Sequence, residues 1–173
     1  MKIGIKYHLE GKINEAEKYY KRFLEAGFNN SSVLSNYGVI CRQTKRNKKA
    51  IELYKKAIKL FPNSPEAFSN LGSLLLEFNK TNEAEFYLRK AVDLNPNFGN
   101  AHFNLGGALK DLRLFEDAEV HTRRAIQLNP NEAKAHSNLG SILKNLGKLE
   151  EAKSSIRTAI TLDKDLITPY FIL

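Results

Sequence analysis

The stretch Asn70-Leu71-Gly72-Ser73-Leu74-Leu75 decides the fold, because its opening triplet returns every 34 residues. Asn36-Tyr37-Gly38 stands one step earlier, and Asn104-Leu105-Gly106 and Asn138-Leu139-Gly140 stand one and two steps later. One more step back reaches Ile3-Gly4. Outward from the triplet, residues 65–98, 99–132 and 133–166 align without a gap. Alanine recurs at Ala16, Ala50, Ala84, Ala118 and Ala152. A second column holds Ala57, Ala91, Ala125 and Ala159, with Phe23 departing in the first repeat. Pro62, Pro96 and Pro130 mark repeat ends. The register predicts a single array over 1–173. It comprises a truncated repeat over 1–30, full repeats over 31–64, 65–98, 99–132 and 133–166, and a further start or cap over 167–173.

Gly38, Gly72, Gly106 and Gly140 fall inside helix-like apolar patterns, where glycine costs about 1 kcal/mol relative to alanine. The same cost repeated in register predicts close approach of a second helix, with the alanine columns facing it. Apolar residues at helical spacing flank these positions: Leu71, Leu74, Leu75 and Phe78, then Phe86, Leu88, Val92 and Leu94. Asn95-Pro96 and Asn129-Pro130 end the second helix, since a residue before proline avoids the helical region.

These columns resemble the tetratricopeptide repeat, whose pattern runs Trp-x2-Leu-Gly-x2-Tyr, then Ala-x3-Phe, then Pro. Phe68, Leu71, Gly72, Leu75, Ala84, Leu88 and Pro96 fill those places in one repeat. His102, Leu105, Gly106, Leu109, Ala118, Thr122 and Pro130 fill them in the next. His or Leu replaces the first aromatic in places, and Cys41 or Leu the later Tyr. The resemblance covers essentially the whole chain. It implies an all-α fold, a right-handed superhelix (solenoid) of antiparallel helix–turn–helix units, acting as a protein-binding scaffold rather than an enzyme. It also implies a concave groove lined by the first helix of each repeat. The exposed places there are the second, fifth, sixth, ninth, twelfth and thirteenth.

The sixth place holds Asn36, Asn70, Asn104 and Asn138. A carboxamide offers two donors and an acceptor, enough to pair with the N–H and C=O of one peptide unit. Helices pack about 8–10 Å apart and a strand rises about 3.3 Å per residue. Asparagines at repeat spacing therefore match an extended peptide at about every third residue. Small residues at the ninth place, Ser73, Gly107 and Ser141 with Val39, let a backbone approach. Arg42, Lys110 and Lys144 at the twelfth place add charge, and Leu76 interrupts them. The arrangement is similar to the asparagine ladder in the repeat superhelix of O-linked N-acetylglucosamine transferases, and to related bacterial repeat proteins. The lysine–asparagine clamp of chaperone-binding members is missing: Ser35, Ser69, Phe103 and Ser137 take its fifth place.

The formal charge of +8 is uneven. Residues 1–64 hold 14 Lys/Arg against 5 Asp/Glu, whereas the remainder is nearly balanced. Lys45, Arg46, Lys48 and Lys49 form the densest stretch, a candidate patch for an anionic partner. No aromatic residue interleaves with it, so nucleic acid is not the expected partner. His102 and His136 share one repeat place and are read as packing residues; no metal or cofactor is expected. Cys41 is read as an inert core thiol. Phosphate-cradling glycine loops, His-Glu-x-x-His and nucleophile elbows do not occur, and a small-molecule substrate is not expected.

No apolar run approaches the roughly 20 residues of a membrane span, and no signal-peptide core opens the chain; a cytoplasmic protein is expected. The leading expectation is a scaffold that binds an extended peptide or protein segment in its groove. A second is the substrate-recruiting arm of a larger enzyme such as a glycosyltransferase, with catalysis beyond residue 173. A third is self-assembly into a homo-oligomer through the apolar edge at 167–173, with Tyr170 and Leu173 packed against a neighbour.

Overall fold

The computed structural model describes residues 2–165. Ten helices follow one another: α1 (Lys2–Leu9), α2 (Ile13–Glu25), α3 (Ser31–Gln43), α4 (Asn47–Leu60), α5 (Pro65–Glu77), α6 (Thr81–Leu94), α7 (Gly99–Asp111), α8 (Phe115–Leu128), α9 (Ala133–Asn145) and α10 (Leu149–Leu162). Among the described residues there is no strand. The molecule is an all-α solenoid of antiparallel helix pairs. None of these helices is long and apolar enough to cross a membrane.

The punctuation between helices is chemical. Asn30 caps α3, its Oδ1 accepting from the Val33 N–H at 3.1 Å, and Pro65 brings a preset φ to the first turn of α5. Each first helix ends in a left-handed residue at one repeat place: Gly11, Lys45, Asn79, Arg113 and Gly147, with φ between 56° and 76°. The turn then closes by two bonds. Lys45 N–H donates to Arg42 O at 2.9 Å and Arg46 N–H to Cys41 O at 2.7 Å, and the later repeats copy both. The second helices stop at Leu94 and Leu128, with Asn95 and Asn129 extended ahead of their prolines.

Glycine on the first helix admits a knob from the second. A methyl group on Gly72 would lie 2.6 Å from Leu88 Cγ, and one on Gly140 would lie 2.6 Å from Ile156 Cγ1. On Gly38 it would overlap the Tyr54 ring, and on Gly106 the Thr122 hydroxyl. The knobs Tyr20, Tyr54, Leu88, Thr122 and Ile156 are one column, four residues after Ala16, Ala50, Ala84, Ala118 and Ala152. Both alanine columns are buried. The facing surface is therefore the alanine backbone plus the knob, as the Ala84 carbonyl at 3.2 Å from the Gly72 methyl position illustrates. Phe78, Phe86 and Leu94 depart from the expected apolar stripe and are exposed; Phe78 lies just past the end of α5, in the turn.

The first helices pack on one another, α1 on α3, α3 on α5, α5 on α7 and α7 on α9. Second helices pack only on flanking first helices and never on each other. The first helices therefore form the inner row of the stack.

Candidate binding groove

Asn36, Asn70, Asn104 and Asn138 all lie on the inner row and are half-buried. Among the described residues, the Asn70 and Asn104 carboxamides donate and accept no hydrogen bond within the protein. Asn138 Oδ1 accepts from Lys110 Nζ at 3.5 Å, so the sixth place of one repeat meets the twelfth of the repeat before. Asn36 neighbours the Tyr20 hydroxyl, whose pKa is raised by burial and partly relieved by that carboxamide. Val39, Ser73, Gly107 and Ser141 are likewise half-buried. A methyl group on Gly107 would meet only Asn138 Nδ2, at 3.9 Å, so space is open beside that amide.

The twelfth place is not uniform. Arg42 reaches across to the next repeat, donating to Ser73 Oγ at 3.2 Å and through Nε to Glu77 Oε1 at 2.9 Å, with a second bond from its terminal nitrogen. Both Arg42 and Ser73 are thus engaged in holding α3 to α5. Lys110 has only Asn138 and a distant Asp111 carboxylate at 3.9 Å. Lys144 is exposed and forms no ion pair among the described residues. The fifth place departs from expectation: Ser35 and Ser69 are buried, since there α3 and α5 turn that face inward to their own pairs. Phe103 and Ser137 remain half-exposed.

The basic stretch lies off the groove, at the turn between α3 and α4. Arg46 is locked to Glu17 of α2 by two bonds of 2.6 Å, and Lys49 pairs with Glu52 at 3.0 Å. The Arg46 guanidinium holds the Glu17 carboxyl down at about 2, against the opposing effect of burial. Lys45 and Lys48 are exposed and unpaired among the described residues. An aromatic ring does reach this patch: Phe78 of the following repeat shares a shallow depression with Lys45, Arg46, Asn47, Lys48 and Lys49. Sequence spacing hid it because the ring arrives from 29 positions beyond Lys49.

His102 and His136 make the same bond, Nε2 to the carbonyls of Pro96 at 3.1 Å and Pro130 at 2.9 Å, tying each first helix to the loop before it. His102 Nδ1 also lies 3.0 Å from His121 Nδ1, the rings stacked with centroids 5.2 Å apart. Burial lowers the pKa of both. Cys41 is buried and free, its thiol pKa pushed up by burial. An outer crevice between α2 and α4 involves Lys21, Leu24, Tyr37 and Lys56; its counterpart between α8 and α10 involves Arg123, Ile126, Leu139 and Thr158. The two sets occupy equal repeat places, so this crevice is the seam of the stack. The expected edge at 167–173, with Tyr170 and Leu173, lies outside the described residues.

The polar joints between repeats escaped the sequence reading. Glu17–Arg46 and Glu119–Lys148, the latter at 2.7 Å, occupy the same repeat places. Arg89 joins Asp117 at 3.2 Å and Arg123 joins Glu151 at 2.6 Å on the same outer side. The recurring glutamates Glu17, Glu85 and Glu119 were the available signal.

Two family models match the sequence, one described as TPR repeat over residues 38–77 and one as tetratricopeptide repeat over 65–98 and 133–166. Solved structures of MamA share the architecture. One is 26% identical, covers 95% of this chain and 96% of its own, and superposes with a TM-score of 0.78. A second, MamA MSR-1, is also 26% identical, with 96% and 95% covered and a TM-score of 0.74. A third is 25% identical, with 100% and 93% covered and a TM-score of 0.76. No curated protein matches the sequence.

Proposed function

Because this chain belongs to the tetratricopeptide-repeat family, we propose that it is a protein-interaction scaffold whose inner groove grips an extended peptide segment. In this reading the module binds and does not itself catalyse. The observation that carries the groove assignment is the pair Asn70 and Asn104, half-buried on the inner row with carboxamides unpaired among the described residues. Neither amide is among the buried unpaired polar atoms of the described residues, so both stand open to solvent or to a ligand. Two adjacent repeats presenting the same unfilled amide suit a ligand that is itself periodic, and a peptide backbone is one. Asn138 extends the row, and Gly107 keeps its flank clear. Asn36 is assigned a lesser role, being turned toward Tyr20. Ser73 and Arg42, held by the contact between α3 and α5, form a wall rather than a grip.

The test starts from peptides selected against the wild-type protein from a random display library. Their affinity is then measured for Asn70→Ala/Asn104→Ala/Asn138→Ala. Loss of two bonds per rung predicts binding weaker by at least about tenfold, with the helical circular dichroism unchanged. Equal affinity for the triple variant overturns the assignment of these asparagines.

A further inference from the structure

Charge along the inner row is balanced at one end and unbalanced at the other. Arg42, at the twelfth place, is neutralised by Glu77 at the thirteenth place of the next repeat. The thirteenth place then reads Asp111 and Asn145 in the following repeats. Two repeats on from Arg42, Lys110 should find its partner where Asn145 stands. That residue carries no charge, and its amide donates instead to Ser141 O on its own helix at 2.8 Å. Lys110 is left with a side chain only 28% exposed, the Asn138 carbonyl at 3.5 Å and a carboxylate at 3.9 Å. Lys144 repeats the cation one step further, exposed and without an ion pair among the described residues. The first half of the row is thus an internally neutral wall. The second half offers two ammonium groups beside an amide, with space cleared by Gly107.

We propose that the α7–α9 half of the groove recognises an acidic side chain in the bound segment, its carboxylate taken by Lys110 and Lys144 beside Asn138. This rests on the groove reading above and adds the chemical class of the partner: an extended peptide with an aspartate or glutamate at a fixed place. A partly desolvated lysine whose nearest internal carboxylate is 3.9 Å away gains from a closer one supplied by a ligand. The paired Arg42 gains nothing comparable. Polarity follows, because the acidic residue must lie toward α9 and the uncharged part toward α5.

Two fluorescein-labelled octapeptides serve as probes, one alternating Ala with Glu and the other alternating Ala with Gln, titrated by fluorescence anisotropy at low salt. The Glu peptide should bind about fivefold or more tighter to the wild type. The preference should disappear in Lys110→Gln/Lys144→Gln and persist in Lys45→Gln/Lys48→Gln, which alters only the outer basic turn. Asn145→Asp keeps every lysine but restores the missing internal partner, so it too should weaken the Glu peptide and spare the Gln peptide. Loss of preference in the Lys45/Lys48 variant instead would place the acidic site at that turn and overturn the proposal. If both peptides bind equally and both lose binding in the triple asparagine variant, the groove reading stands and this proposal falls. Failure of both peptides to bind overturns both.

Discussion

Arg46 and Glu17 face each other across the joint between the first two helix pairs, linked by two parallel hydrogen bonds of 2.6 Å. The Tyr37 hydroxyl adds a longer bond of 3.4 Å to the same carboxylate. Planar guanidinium against planar carboxylate fixes both position and angle, so this pair ties the start of α4 to α2 across the joint.

The pair makes stability depend on pH in a defined window. Glu17 titrates at about 2 in the folded chain, held there chiefly by the Arg46 bonds, and near 4.5 when unpaired. Its folded pKa is depressed, so the contribution is complete above pH 4.5 and disappears as pH falls toward 2. Thermal melts should show the wild type losing about 2–5 °C more across that window than Glu17→Gln. Equal slopes for the two proteins would show that the joint is indifferent to this ion pair.

Two glycines on like helices should respond to alanine with opposite sign. At Gly72 the new methyl meets Leu88 and the Ala84 carbonyl, and overpacking should outweigh the propensity gain by about 1–3 kcal/mol. At Gly107 the methyl meets only Asn138 at 3.9 Å, so Gly107→Ala should stabilise by about 0.5–1 kcal/mol. Urea melts read both. Stabilisation by Gly72→Ala would contradict the knob-and-glycine packing.

The His102–His121 contact requires an unprotonated Nδ1 on His102. His102 Nε2 donates to Pro96 O, which leaves its Nδ1 to accept from His121 Nδ1–H. Burial lowers both pKa values first. At His102 the bond to the Pro96 carbonyl opposes this and the Arg124 charge adds to it; at His121 the partner ring and Arg89 add to it, against Asp117 and Asp93. Folded pKa values below 6.5 mean that stability is present above pH 6.5 and is lost below it. His121→Phe keeps a stacked ring without a titrating nitrogen, and its melting temperature should fall less between pH 7 and 5. Ring titration by NMR at or above 6.5 for both histidines would contradict the neutral clasp.

The helix pairing was legible in the chain because its cause is periodic and local. A glycine costs the same in every repeat, and the knob it admits always lies 16 residues later, as Gly72 and Leu88 do. The inner row was legible for the same reason, since Asn70 and Asn104 follow directly from the register. Cross-repeat chemistry was not. Nothing in the spacing tells that Arg42 turns to Glu77, 35 residues on, because that depends on how far α5 is rotated past α3. The same stacking carries Phe78 to the basic turn of the repeat before it. Superhelical twist is a property of the stack, and one repeat does not encode it visibly.

The absence of packing between second helices gives the stack a mechanical character. Its inner row is a continuous column of touching helices and resists compression. Its outer side is joined by side-chain links such as Arg89–Asp117 and Arg123–Glu151, while each second helix packs on the first helix of the next repeat. Salt screens exposed ion pairs, so these outer links are the joints of the stack most open to ionic strength, and the buried apolar contacts the least.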